Sequence, residues 1–243
     1  MSATATSPMN SGGPFAAPST LDLNYPQFDK IKDSDFAPAF DAGMALELKE
    51  IDAIAASPEK PTFRNTIVAM EKSGQLLGRA TSVFYNLVGT DKNDVREKLE
   101  SDYAPKFSAH RDAIALNPKL FARIKALHDA RDTLGLDAVD RRLLEKRYQD
   151  FVRAGAALTE AQKARIREIN TEMSKLGTRF NQNVLAEVND SAVVVDSREQ
   201  LKGFSDEQIA AAAEAAKVRK LDGKFVIALL NTTGQPAEAQ LQD

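Results

Sequence analysis

Residues 141–188 hold the longest unbroken helical signal in the chain, and the segments on either side can be placed against it. Ile166, Ile169, Met173, Leu176 and Phe180 recur at alternating steps of three and four, a helix-period stripe close to a heptad. Thr159 followed by Gln162 has the spacing of a capping box, in which hydroxyl and amide satisfy two otherwise unpaired N–H groups reciprocally. Ahead of it, Leu144, Tyr148, Phe151 and Val152 lie opposite Arg142, Glu145, Lys146 and Gln149, so a separate amphipathic helix ends near Gly155. Two long helices joined by residues 155–158 are expected to pack antiparallel, each needing further helices to cover its stripe.

The rest of the chain supplies those helices. Asp33 or Ser34 caps a helix with Pro38 in its first turn and Phe36, Phe40, Met44, Leu48 and Ile51 on its buried face. Thr62 caps the next, which is loosened at Ser73-Gly74 and resumes through Leu77, Ala80, Phe84 and Leu87. Asn93 or Asp94 opens a helix carrying Val95, Leu99, Tyr103 and Phe107, with Pro105 as a point of kinking. Asn117-Pro118 starts another, closed by Gly135, and Asp137 caps the entry to the stretch described above. After residue 190 the period changes. Ser191-Ala-Val-Val-Val-Asp196 and Lys224-Phe-Val-Ile-Ala-Leu-Leu230 are β-branched and apolar, with strands expected at 192–195 and 225–230. Between them Ser205 and Gln208 make a second capping box on an alanine-rich helix.

The expectation is a mainly α protein: a multi-helix array of antiparallel amphipathic helices with a small strand-helix-strand unit near the C-terminus. Residues 1–20, rich in Ser, Thr, Ala, Pro and Gly, read as a disordered tail; 21–190 as a helical domain; 191–243 as the start of a domain whose sheet is incomplete. In 243 residues, 43% are hydrophobic and 12 are glycine, which suits a helical core. A net charge of −3 gives no electrostatic footprint for nucleic acid or an anionic membrane. The lack of cysteine excludes disulfides and thiolate metal sites and fits a cytoplasmic protein. No stretch approaches the roughly eighteen apolar residues of a membrane span.

Chemistry is sparse. His110 and His128 are the two histidines, and neither belongs to a His-Glu-x-x-His arrangement that would place two imidazoles on one helix face. His128 and Asp132, four apart, read as an exposed polar pair, because a catalytic zinc takes about three protein ligands. Arg141, Arg142, Lys146 and Arg147 are interleaved with Leu143, Leu144 and Glu145 and read as a solvated face. Asp206 and Glu207 sit in a first helical turn, where the helix dipole accounts for them. No residue is assigned as catalytic or as a metal ligand.

Several stretches resemble a known family. Pro61-Thr-Phe-Arg-Asn-Thr-Ile67, then Ser82-Val-Phe-Tyr-Asn-Leu-Val88 followed by Asn93-Asp94, resemble the N-terminal region of the thimet-oligopeptidase family of zinc metallopeptidases. Arg111-Asp-Ala-Ile114, Leu143-Leu-Glu-Lys146, Asp150-Phe-Val-Arg-Ala-Gly-Ala156 and Leu176-Gly-Thr-Arg-Phe-Asn-Gln-Asn-Val-Leu185 resemble its peptidyl-dipeptidase, or dipeptidyl carboxypeptidase, branch. The resemblance implies an almost wholly helical protein whose two halves face across a channel that admits short peptides, and an activity that releases C-terminal dipeptides. It also implies a zinc held by a His-Glu-x-x-His helix and a more distant glutamate, in a C-terminal catalytic part. None of those ligands matches a position here, so this chain is expected to hold no cofactor and to be inactive alone. Asn86, polar beside Phe84 and Leu87, is the candidate for a residue facing peptide, against the plainer reading of a buried packing amide. Other readings are a stand-alone, non-catalytic helical interaction module and an independent metal hydrolase using His128. On the peptidase reading the stripe of Ile166, Met173, Leu176 and Phe180 and the strand edges, partly covered in the complete enzyme, lack cover and favour association, whereas the module reading expects a compact monomer with no unpaired strand edge.

Overall fold

The computed structural model describes residues 10–230, 235, 237 and 239–242. Its elements are α1 (Asp33–Ala55), a π-helical stretch Phe63–Val68 running into the short α2 (Ala69–Glu71), α3 (Gln75–Thr90), α4 (Asp94–Ala115), α5 (Pro118–Asp129), α6 (Ala138–Ala154), α7 (Glu160–Asp190), β1 (Val193–Val195), α8 (Asp206–Val218) and β2 (Phe225–Ile227). The mainly α expectation holds. The chain divides into two compact units, Met1–Lys175 and Leu176–Asp243, and the division falls inside α7, ahead of the boundary expected at 190.

Local chemistry sets most helix starts where the sequence places them. The Asn93 side chain accepts from the Arg96 N–H, Asn117 from Lys119 and Leu120, and Asp137 from Val139 and Asp140, each satisfying N–H groups that a first turn leaves unpaired. Thr62 and Asn65 cap each other, with Asn65 N–H donating to Thr62 Oγ1 at 3.0 Å and Thr62 N–H to Asn65 Oδ1 at 2.8 Å. Gly74 at φ +69° and Gly155 at φ +101° take the left-handed conformation at the breaks before α3 and after α6. The first helix differs in detail. It begins at Asp33, with Lys32 in the cap position and the Asp35 carboxylate accepting the Lys32 N–H.

Two apolar clusters fill the first unit. In one, α1, α3 and α4 meet around Phe36, Phe40, Phe84, Tyr103 and Phe107. The Phe40 ring lies 5.2 Å from Phe84 and 5.0 Å from both Tyr103 and Phe107, in edge-on geometries that suit aromatic quadrupoles. The other joins Leu120, Ile124 and Leu127 of α5 to Leu144 and Phe151 of α6, with Ile51 and Ile67. Between α5 and the 57–66 connection sits buried Arg123. It donates from Nη1 to the Ser57 and Glu59 carbonyls, from Nη2 to Asn65 Oδ1 and from Nε to Thr66 Oγ1.

Two expectations need correction. The disordered tail does not extend to residue 20: Asn10–Phe15 is a 3-10 segment, and Phe15 is 3% exposed and stacked on Phe36 at 5.4 Å. A tail without helical period still supplies one aromatic ring to the core, and Arg79 holds it by donating to the Phe15 and Ala16 carbonyls. Residues 1–9 of that expectation lie outside the described residues. Nor do α6 and α7 cover one another's stripes. Leu144 and Phe151 of α6 are buried with α5 and Tyr148 partly so, with Val152 exposed, whereas Ile169, Met173, Leu176 and Phe180 of α7 are exposed.

In the second unit β1 and β2 pair antiparallel, with Val193 opposite Ile227, Val194 opposite Val226 and Val195 opposite Phe225. The sheet has two strands among the described residues, and β2 is shorter than the 225–230 expected. Ile209 and Ala212 of α8 join Val195 and Leu201 in its small core, and Ser205 and Gln208 form the anticipated capping box. The closing segment lies partly outside the described residues.

If the aromatic junction holds the first unit together, Phe40→Ala leaves a cavity facing four rings and lowers unfolding stability by about 3–5 kcal/mol. Val139→Ala, at a position 76% exposed, changes it by no more than about 0.5 kcal/mol. Denaturant unfolding followed by circular dichroism measures both.

Candidate functional site

The candidate site is a groove of about 450 Å³ in the first unit, walled by side chains of α1, α3 and α4. Leu77, Phe107 and Ile114 line its apolar part, and Glu47, His110 and Arg111 its polar part. The α1 turn carries Glu47 to α4, where its Oε2 lies 2.7 Å from His110 Nε2. His110 is buried and, among the described residues, its Nδ1 has no partner. One turn of α1 further on, Glu50 accepts the Gly74 N–H at 2.9 Å and fixes the break before α3. Tyr85 closes the groove, and its phenol is pushed up chiefly by burial and then by the Glu100 charge, with Arg111 opposing.

A carboxylate paired to one imidazole nitrogen fixes the ring's orientation and tautomer, but acid–base work needs a reacting group within reach. The arrangement therefore offers a polar floor to an apolar groove. Among the described residues no three histidine, aspartate or glutamate side chains converge as metal ligands. The residues present do not fit the zinc implied by the resemblance, since Glu47 and His110 supply two donors and a catalytic zinc takes about three.

His128 lies elsewhere and does not form the exposed pair expected with Asp132. Its ring stacks on Tyr148 at 3.8 Å and 11°, and Asp132 instead accepts from Arg141. The basic cluster on α6 is paired: Arg141 with Asp132 and Glu145, Arg142 with Glu145, Lys146 with Asp150, Arg147 with Glu71. Asp206 pairs with Arg198 and Glu207 accepts from the Ser205 hydroxyl, so both serve the start of α8. Asn86 is exposed on α3, against the packing-amide alternative, because it follows Tyr85 on the side of the helix opposite buried Val83 and Phe84. It does not line the groove. The Glu47–His110 pair was not anticipated. The two lie on different helices far apart in sequence, and no local spacing signals their meeting.

No protein-family model matches the chain. It is 44% identical over 235 residues, 97% of its length, to dipeptidyl carboxypeptidase of Escherichia coli (strain K12), and 42% identical over 233 residues to dipeptidyl carboxypeptidase of Salmonella typhimurium. Oligopeptidase A of Escherichia coli is 23% identical over 82% of the chain. The chain spans about a third of these relatives, 34% of each dipeptidyl carboxypeptidase and 29% of the oligopeptidase. A helical scaffold with these relatives defines a protein of the thimet-oligopeptidase class. Within that class the chain is similar to the N-terminal part of dipeptidyl carboxypeptidases.

Glu47→Leu strips His110 of its partner and leaves a buried imidazole unpaired at both nitrogens. The expected cost is about 1–3 kcal/mol in unfolding free energy. Glu47→Gln, which still presents a hydrogen-bonding oxygen, costs less in the same measurement.

Proposed function

We propose that this chain is the N-terminal scaffold portion of a zinc-dependent oligopeptidase that releases C-terminal dipeptides from short peptides. It supplies one wall of a substrate channel and is inactive without a C-terminal catalytic part. The observation that carries the reading is the 44% identity to a dipeptidyl carboxypeptidase across 97% of the chain. The donor set supports the division of labour. A hydrolytic zinc needs about three protein ligands and a base placed to take a proton from water, and the two histidines here are held apart, one by Glu47 and one against Tyr148. The metal would be held by residues of the catalytic part, where it would polarise a peptide carbonyl and activate water.

In this reading the chain's own residues bind and position. Asn86, exposed on α3, is the candidate to hydrogen-bond an extended peptide, and the neighbouring groove offers apolar wall to its side chains. Short peptides and the catalytic part are its partners; nucleic acid and membrane are not, given a net charge of −3 and no described helix long and apolar enough to cross a bilayer. The reading places the protein in the cytoplasm.

The test is chelator-sensitive release of a dipeptide from the C-terminus of a short peptide. It is measured with this chain alone and mixed with the part of Escherichia coli dipeptidyl carboxypeptidase that the chain does not match. No turnover by the chain alone and chelator-sensitive turnover in the mixture are expected. Turnover by the chain alone, lost on His128→Ala, would overturn the reading.

A further inference from the structure

A second cavity of the first unit lies between the segment ahead of α1 and the first half of α3. It holds about 720 Å³, within the range of about 300–1,000 Å³ that small-molecule sites occupy. Phe15, Pro18, Pro26, Ile31 and Val83 give it an apolar lining. Two cations, Lys30 and Arg79, stand in its wall, and among the described residues no aspartate or glutamate does.

Arg79 gives the cavity its preference. Its Nε donates to the Phe15 carbonyl at 2.9 Å and its Nη2 to the Ala16 carbonyl at 3.1 Å. A guanidinium carries five N–H donors, so Nη1 and the second Nη2 hydrogen remain for another acceptor. Neither carbonyl brings a counter-charge. Arg96, Arg141 and Arg147 each meet a carboxylate, whereas Arg79 enters no ion pair among the described residues. Glu50 accepts the Gly74 N–H from the α1 side and does not line the cavity. Burial pushes the Arg79 guanidinium down, with no carboxylate to oppose it. A half-buried cation left in this state is stabilised by any anion that reaches it, through hydrogen bonds stronger than those to neutral carbonyls.

Charge selects an anion, and the lining narrows the choice. The ammonium group of a zwitterion would meet no carboxylate in this wall. A multiply charged anion would set surplus charge against proline, isoleucine and valine, at a desolvation cost that one guanidinium does not offset. A single carboxylate on an aliphatic or aromatic body satisfies both halves of the cavity.

We propose that this cavity binds a small organic monocarboxylate, with the carboxylate on the remaining donors of Arg79 and the apolar body against Pro18, Ile31 and Val83. The proposal goes beyond the peptidase reading and does not depend on it.

Calorimetric titration of the full chain with N-acetyl-phenylalanine at neutral pH tests it. Saturable one-to-one binding with a Kd below about 1 mM is expected. The uncharged N-acetyl-phenylalanine amide and the zwitterion glycyl-phenylalanine should each bind roughly tenfold more weakly. Gln75 lines the cavity four residues ahead of Arg79 on α3, so Gln75→Glu sets a carboxylate at the spacing of a helical ion pair with Arg79. That variant should lose affinity for N-acetyl-phenylalanine roughly tenfold while keeping its helical circular dichroism spectrum and unfolding midpoint. Absence of saturable binding would overturn the proposal, as would an amide or a zwitterion bound as tightly as the monoanion. So would a folded Gln75→Glu chain of unchanged affinity.

Discussion

The packing of Phe40 is the interaction on which the first unit depends. Its ring is fully buried and touches Phe36 one turn back on its own helix, Phe84 on α3, and Tyr103 and Phe107 on α4. Three helices that would each be marginal alone in water are thereby fixed at one point. Gly43 is a direct consequence: a Cβ there would come within 3.0 Å of the Leu77 backbone, so α1 and α3 approach this closely only over a glycine. The same approach shapes the groove, because it brings Glu47 and Glu50 of α1 to the start of α3 and the middle of α4.

Much of this was legible locally. Caps at Thr62, Asn93, Asn117, Asp137 and Ser205 follow from side chains that accept N–H groups within three residues, and the spacing of Phe36, Phe40, Phe84, Tyr103 and Phe107 marks their shared interior. What escaped the sequence is long-range. Arg123 looks like any cation on a helix, yet its five-donor guanidinium satisfies two carbonyls and two side-chain oxygens of a connection nearly sixty residues away. Phe15 escaped because its surroundings have no period, and Glu47–His110 because pairs between helices leave no mark in spacing. The α7 period was legible, and so was the lack of cover along Ile169, Met173, Leu176 and Phe180; what packs against the rest of the helix was not, because periodicity marks an apolar side without naming the neighbours of the others. Asp112 shows why the polar side could be covered. Its carboxyl is raised by burial, an effect that Asn170 and the charges of Arg167 and Arg111 oppose, so that α7 approaches α4 through a hydrogen bond rather than an apolar contact.

The proposed function rests on what the chain builds. Most of the chain is invested in buried aromatic and aliphatic contacts and in capped helix ends, a scaffold similar in sequence to dipeptidyl carboxypeptidases. Its histidines serve that scaffold, one oriented by Glu47 and the other stacked flat on Tyr148, and among the described residues neither is arranged with two further donors around a common point. The surfaces left over are a groove with a polar floor on α1, α3 and α4, and the open seam of α7. Such surfaces suit recognition and assembly, as the proposed function requires.

The proposal that this chain acts as scaffold is met most directly by a calorimetric titration of zinc into the folded, metal-free chain at neutral pH. The account predicts no stoichiometric site, only weak heats that remain unchanged in His110→Ala and His128→Ala. A single site of sub-micromolar affinity, lost when either histidine is replaced, would contradict it.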